Sequence, residues 1–395
     1  RARRRARPAW HGCNSSEAPA PTGGSSSSSS SGTRSPGQTF LAASNNGAVS
    51  TGEGSPPGEP GRPVSPSTPP LTHEQLPEES IYLLDGTSML FRAFYGRGAG
   101  GYLAPNGATE VGAVLAMGIE FAQFINEVKP RYVAMAFDVE RETTFRRKMF
   151  PAYKAQRKPV PVDLTLQIPL AKALSEALGC KTFAVEGYEA DDVMATLTRW
   201  GRSAGLGVVV CSSDKDMCQL VRDRVHVMQP RSTGYAILGD EEVRAKFGVR
   251  SSSLPDLFGL VGDAADNIPG LGVKGPLGAQ KGGSHLFPRR TGKGVFSRGR
   301  GVSTMQIRGA KGLQALLSLP DTQQEAFLYR DIATLRDEVP LDGINTLTSS
   351  YFLYEGACPE AEGVMRALGF TAPLRMIQEG LTRPLAPAVD IGPGA

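Results

Sequence analysis

Two short stretches carry the residues best suited to chemistry. EGYEADDVMATL (186–197) holds Glu189, Asp191 and Asp192, and CSSDKDMCQL (211–220) holds Asp214 and Asp216. Each group stands where an apolar strand-like run gives way to the next element. Two like charges about 4 Å apart repel by about 1 kcal/mol in water and about 4 kcal/mol at a protein-like dielectric. If the clusters converge, either some carboxyls stay protonated or divalent cations sit between them. Two more acids share the setting. Asp85 follows the apolar run 81–84 (IYLL), and Asp138 follows 132–137 (YVAMAF). Any one of these has a plainer role, because acids in a helix's first turn complement its dipole and Asp-Gly forms turns. Acids at four independent strand ends point instead to a metal site.

The elements that must position them alternate. Strands are expected at 81–84, 132–137, 182–185, 207–211 and 225–228. Helices are expected at 111–128, 169–178 and 190–200, with a last one at 360–368. That alternation argues for an α/β fold, a mainly parallel sheet flanked by helices. Ligands in such sheets bind outside the carboxyl ends of the strands, where Asp85, Asp138, Glu189 and Asp214 all fall.

After Asp138 comes a basic run, 141–158, with Arg141, Arg146, Arg147, Lys148, Lys154, Arg157 and Lys158 interleaved with Phe145, Phe150 and Tyr153. Cations engage phosphates and aromatic faces stack on unpaired bases, although a charge run is often only a solvated face. Further on, GLVGDAADNIPG (259–270) adds Asp263 and Asp266, whose spacing of three suits one face of a helical turn. Gly270, Gly272 and Gly275 around Lys274 then suit a tight turn whose amides can approach phosphate.

Together LLDGTSMLFRAFY, AMAFDVERETTFRRKMFPAYKAQR, VEGYEADDVMATL, CSSDKDMCQLV and GLVGDAADNIPG resemble, in order, the 5′-nuclease domain of bacterial DNA polymerase I and the related flap endonucleases. The likeness spans about residues 81–270 and resumes more weakly at 308–317 and 326–341. It implies a PIN-like (resolvase-like) domain at 79–250 with an arch at about 139–164. A helix–three-turn–helix (SAM-like) DNA-binding region would follow at 251–345. It further implies two Mg²⁺ or Mn²⁺ ions and a K⁺ ion at the glycine turn. By resemblance, Asp85, Asp138, Glu189, Asp191 and Asp214 surround one metal, and Asp192, Asp216, Asp263 and Asp266 serve a second, more loosely held. Arg146, Tyr153, Lys154 and Arg157 match arch residues that steer the scissile phosphate. The implied activity is that of a 5′–3′ exonuclease and 5′-flap endonuclease, acting in primer removal or repair. Its partner is DNA with a 5′ end or flap, or an RNA–DNA primer junction, and a monomer is expected. Hard oxygen donors favour Mg²⁺ over zinc, in keeping with scattered Cys and His.

The chain departs from that family after the glycine turn, where a basic, glycine-rich insert (277–307) replaces an apolar helix. It is either a DNA-binding loop or a gene-model artefact, such as a retained intron. Either origin would disrupt the helix–three-turn–helix subdomain, and intact metal ligation with weakened duplex binding is expected. Residues 1–78 are Arg-rich, then Ser/Pro/Gly-rich and almost free of acids, a composition expected to be disordered. It suits a transit peptide to a plastid or mitochondrion, or else a basic tail of a nuclear or cytoplasmic protein. The first residue is Arg rather than Met, which suits a processed form or a gene-model fragment. No polymerase-like sequence follows within the C-terminal extension (346–395), so a standalone nuclease is expected. No apolar run approaches the roughly 20 residues of a membrane span. Three other readings compete: a catalytically weak nucleic-acid-binding module, an RNA-cleaving PIN nuclease, and a D-x-D-G-T phosphatase. The last would need its nucleophile where Leu83 stands.

Overall fold

The computed structural model describes residues 71–96, 101–139, 142–231, 234–271 and 317–380. Arg141, Gly272, Lys274, most of the N-terminal tail and the 277–307 insert lie outside the described residues, and so does the glycine turn with its expected K⁺ ion. All described residues belong to one unit, Pro66–Ala395.

Six strands, β1 (Ser80–Asp85), β2 (Tyr132–Ala136), β3 (Lys181–Phe183), β4 (Gly207–Cys211), β5 (Val225–Pro230) and β6 (Tyr235–Leu238), form a single sheet in the order β3-β2-β1-β4-β5-β6. Pairings are parallel except the β5–β6 hairpin. The period-2 rule sorts the side chains onto two faces. Ile81, Leu83, Tyr132, Ala134, Val208 and Val210 join one apolar core. Tyr82, Leu84, Val133, Met135 and Val209 join the other. The short α3 (Phe145–Met149) carries the buried Arg146. The first face is covered by α5 (Ala190–Ser203), α6 (Asp240–Phe247), α7 (Leu254–Val261) and the Pro320–Ala333 helix, through Val193, Leu197, Val243, Phe258 and Ile332. The second is covered by α1 (Gly86–Gly96), α2 (Gly112–Val128), α4 (Val162–Ala177) and the helices Ala361–Leu368 and Ala372–Gly380. Burial on both faces explains why β1, β2 and β4 read as continuous apolar runs rather than alternating ones.

The sequence-based bounds hold for β1 to β5 within two residues. Helix α4 begins at Val162, seven residues before the expected start, and carries Pro169 inside it. Tertiary contacts override the proline there. Gln167, fully buried, accepts the Ala113 and Val114 N–H groups at the start of α2 (3.0 and 3.2 Å), supplying partners that a helix N-terminus lacks.

Strand order positions the site. From β1 the chain adds β2 and β3 to one side, then returns to place β4 on the other side. The carboxyl ends of β1 and β4 therefore flank a topological switch point, where open α/β sheets form a crevice. Asp85 ends β1, and Ser212 and Asp214 follow β4.

Candidate metal centre

Asp85 is buried at the end of β1, where its Oδ1 accepts the Ser88 N–H (2.8 Å) and its Oδ2 the Ser212 hydroxyl (2.8 Å). The Ser212 contact ties the two sides of the crevice together. Asp138 follows β2, and its Oδ1 accepts the Ala190 N–H at the start of α5 (2.7 Å). Asp214 Oδ1 accepts the Asp216 N–H (2.8 Å). Among the described residues Asp191 accepts no hydrogen bond and forms no ion pair.

These acids share one electrostatic neighbourhood. Burial raises the Asp85 carboxyl to about 6, and the charges of Asp138 and Asp214 add to the shift. Burial also raises Asp191 well above the usual carboxylate range, reinforced by Asp214 and Asp85. Asp138 is raised by burial and then by Glu189. Among the described residues these four acids have no basic hydrogen-bond partner, each is raised by or raises another, and the one positive charge that opposes the shifts of Asp138 and Asp191 is that of Lys154. That donor set fits a hard divalent cation.

Glu189 differs. Burial alone would raise it, but Lys154 and Arg146 overcome burial and hold it at about 2. Lys154 Nζ donates to Oε1 (2.7 Å), while Arg146 Nη1 (3.1 Å) and the Tyr153 hydroxyl (2.9 Å) reach Oε2.

A second cluster lies beside the first. Asp216, Asp263 and Asp266 each present an oxygen within 4.8 Å of the others, close enough to share a metal ion. Asp216 is raised to about 7 by burial and then by Asp214, so the clusters feel each other. Asp263 and Asp266 do not stand on a helical turn, as their spacing suggested. They lie in a tight loop closed by reciprocal Asp263–Ile268 backbone bonds of 2.8 Å. Left-handed Gly262 and Gly270 pinch its ends: a Cβ on Gly270 would lie 2.4 Å from Gly262 N.

Asp192 and Arg146 require a correction. Expected beside a second metal and a phosphate respectively, they instead form a bidentate pair in the interior. Arg146 Nη1 and Nη2 reach Asp192 Oδ2 and Oδ1 at 2.6 and 2.7 Å. Arg146 Nε and Nη2 also donate to the Ile332 and Thr334 carbonyls (2.8 and 3.1 Å). Asp192 further accepts the Glu189 and Arg336 N–H groups. Every donor of that guanidinium is engaged, leaving none for a phosphate.

The rest of the basic run folds down over the second cluster. Arg157 Nη2 binds Asp266 Oδ1 (2.6 Å), and the Tyr153 hydroxyl lies 3.0 Å from Asp266 Oδ2. The Lys154 N–H donates to the Asp266 carbonyl (3.0 Å), and Asn267 Nδ2 to the Ala152 carbonyl (2.7 Å). Arg147 is bound to Glu142 (2.6 Å) and the Tyr153 carbonyl (3.0 Å), whereas Lys148 and Lys158 point to solvent. Sequence reasoning passed over Lys215, whose Nζ bridges Asp263 and Asp216. Its signal was a lysine flanked by two acids, Asp214-Lys215-Asp216, at a strand exit.

The sequence profile of the 5′-3′ exonuclease N-terminal, resolvase-like domain matches residues 80–248, the stretch that supplies the sheet and the first cluster. This region belongs to the 5′-3′ exonuclease family. DNA polymerase I of Pseudomonas aeruginosa is 35% identical over 266 residues, 66% of this chain and 28% of that protein. A 5′-3′ exonuclease of Aquifex aeolicus is 34% identical over 198 residues, 50% of this chain and 66% of that protein. The chain thus spans about a quarter of the length of the Pseudomonas polymerase. A crystal structure of the T5 D15 protein co-crystallised with metal ions superposes with a TM-score of 0.48 at 18% identity, covering 76% of this chain and 98% of that one.

Proposed function

We propose that the chain is a metal-dependent 5′–3′ exonuclease and structure-specific 5′-flap endonuclease that hydrolyses DNA or RNA-primer phosphodiester bonds with two Mg²⁺ or Mn²⁺ ions. The carrying observation is the convergence of Asp85, Asp138, Asp191 and Asp214 at the switch point of the sheet, close enough to perturb one another and with no basic hydrogen-bond partner among the described residues. Asp85, Asp138, Asp191 and Asp214 would hold one ion and Asp216, Asp263 and Asp266 the other. Bound there, divalent ions lower the pKa of a water and offset the charge of a leaving oxygen. Ser212 and Ser88 fix the Asp85 carboxylate, and the Ala190 N–H fixes Asp138, so these ligands are oriented before anything binds. Lys148 and Lys158, exposed on the basic run, offer cations to the phosphate backbone. Such contacts position a strand without reading its sequence, so selection rests on a free 5′ end or flap.

A 5′-flap DNA substrate with Mg²⁺ tests the reading, the unmodified chain beside Asp191→Ala. Cleavage by the first and a loss of about two orders of magnitude or more in the second is expected, as for removal of a metal ligand. Binding without cleavage by both would favour a nucleic-acid-binding module instead. Import into a plastid or mitochondrion is part of the same proposal, supported by the basic, serine-rich, acid-poor composition of residues 1–78. A reporter fused to those residues and found diffuse in the cytosol would refute it.

A further inference from the structure

The two carboxylate clusters are neutralised differently. Among the described residues the hydrogen bonds that Asp85, Asp138 and Asp214 accept come from the neutral donors Ser88 N–H, Ser212 O–H, Ala190 N–H and Asp216 N–H, and Asp191 accepts none. The second cluster already contains cations: Arg157 Nη2 holds Asp266 Oδ1 (2.6 Å), Lys154 Nζ lies 3.8 Å from Asp266 Oδ2, and Lys215 serves the other two acids. Lys215 Nζ is in close contact with Asp263 Oδ2 and lies 3.3 Å from Asp216 Oδ1. Asp263 and Asp216 are two of the three acids whose oxygens lie within one metal ion's reach of each other. Despite the nearby ammonium, buried Asp216 Oδ1 has no hydrogen-bond partner among the described residues, so this oxygen is incompletely satisfied there.

The Lys215 side chain can leave. It is one-third exposed, whereas Arg146 is locked in the interior. Its ammonium lies 5.2 Å from the centre of the Phe258 ring, a face that gives a departing cation a second resting place. A four-carbon stem with a single terminal charge moves as a point charge, without the fork that holds an arginine to its partner.

Building on the metal-dependent reading above, we propose that Lys215 is the resident counter-cation of Asp216 and Asp263 in the second cluster, and that a divalent ion enters there only by displacing its ammonium. The residue is thereby a positioning group that sets the affinity gap between the two sites. An ion at Asp85, Asp138, Asp191 and Asp214 meets carboxylates that no cation contacts directly among the described residues. An ion at Asp216, Asp263 and Asp266 competes with a tethered ammonium for the same oxygens. The displaced ammonium stays beside the cluster, so the second site fills at higher metal concentration than the first.

The test is equilibrium titration of the full chain with Mn²⁺, reading free ion by electron paramagnetic resonance. Unmodified protein is compared with Lys215→Met, Lys215→Gln and Lys215→Arg, each checked for native circular dichroism. Methionine keeps an unbranched apolar stem of nearly the same length while removing the charge. Two classes of site are expected in the unmodified chain. Loss of the charge should tighten the weaker class by about tenfold or more and leave the tighter one in place. Lys215→Arg, whose fork holds the carboxylates more firmly, should loosen the weaker class further. If the methionine variant is misfolded, the glutamine variant decides by the same reading. A weaker class that is unchanged or weakened in the uncharged variant overturns the proposal. Failure of the underlying reading looks different: the unmodified chain and Asp191→Ala would then bind Mn²⁺ alike in the tighter class, or not at all.

Discussion

Arg146 and Asp192 meet through two parallel hydrogen bonds of 2.6 and 2.7 Å, with the arginine 2% exposed and the aspartate fully buried. The pair joins the short helix that opens the basic run (Phe145–Met149) to the first turn of α5. Through the Ile332 and Thr334 carbonyls it also reaches the end of the Pro320–Ala333 helix. Breaking a buried pair from one side strands the other charge, at a cost of roughly 3–5 kcal/mol. Arg146→Met is therefore expected to lower stability by that order in urea unfolding. Arg146→Met combined with Asp192→Leu should recover much of it. If Arg146→Met retains full stability and loses only DNA cleavage, the residue is a phosphate contact after all.

The metal-free protein should be more stable in mild acid than at neutral pH. Asp85 titrates near 6 and Asp216 near 7 in the fold, both above the 3.8 of an ordinary aspartate. A raised acid binds its proton more tightly when folded, so its contribution is fully present below its unfolded value and is lost as pH rises through the folded one. Glu189 runs the other way: its contribution is present above 4.5 and lost only as pH falls through about 2. With chelator present, Tm is expected to be higher at about pH 5 than at about pH 8. Asp85→Asn should stabilise the metal-free chain at the higher pH by about 1–3 kcal/mol. It should also abolish most of the stabilisation that Mn²⁺ gives the unmodified protein. A Tm that falls steadily from about pH 8 to about pH 5 would count against a crowded, uncompensated cluster.

How much of this was legible beforehand divides by physical cause. The strands β1, β2, β4 and β5 could be read because parallel strands buried on both faces need unbroken apolar runs, and the acids at their ends stood out against those runs. The first half of α4 could not be read, since Pro169 imitates a helix start and the force that overrides it is Gln167 capping a helix 53 residues away. β6 is only four residues long, and its partner is set by a hairpin rather than by its own pattern. Within the basic run nothing local marks Arg146 as the buried member and Lys148 as an exposed one. That distinction depends on Asp192 arriving from another element. Nor could the spacing of Asp263 and Asp266 tell a helical turn from a glycine-pinched loop, because both bring the two carboxylates to one side.

That loop depends on its glycines. Gly270 has φ +66°, and a Cβ added there would meet Gly262 N at 2.4 Å and the Val261 carbonyl carbon at 2.5 Å, both rigid backbone. The left-handed conformation and the clash act together, so Gly270→Ala is expected to cost more than about 2 kcal/mol. Because the same loop holds Asp263 and Asp266, the variant should lose the weaker class of Mn²⁺ site while keeping the tighter one. Gly205, also left-handed but with open space around its Cβ position, is the control, and Gly205→Ala should cost about 1 kcal/mol and leave metal binding alone. Equal losses at the two positions would mean that the pinch plays no special part in forming the cluster.

The basic run should divide into cations that are free to meet DNA and cations already in use. Lys148 and Lys158 are exposed and have no ion-pair partner among the described residues, whereas Arg157 is bound to Asp266 at 2.6 Å. Each phosphate contact releases counterions, so losing one changes the slope of log affinity against log salt by about one. Lys148→Ala and Lys158→Ala are each expected to lower the slope by that amount, to the same extent on flap, nicked and single-stranded DNA. Arg157→Ala should change it by less than half as much, since its guanidinium must first leave a carboxylate to reach a phosphate. The measurement is fluorescence anisotropy across a salt series, with chelator present so that nothing is cut. A full unit of slope at Arg157 would show that DNA pulls the segment off Asp266, which would make the contact seen here a latch that substrate opens.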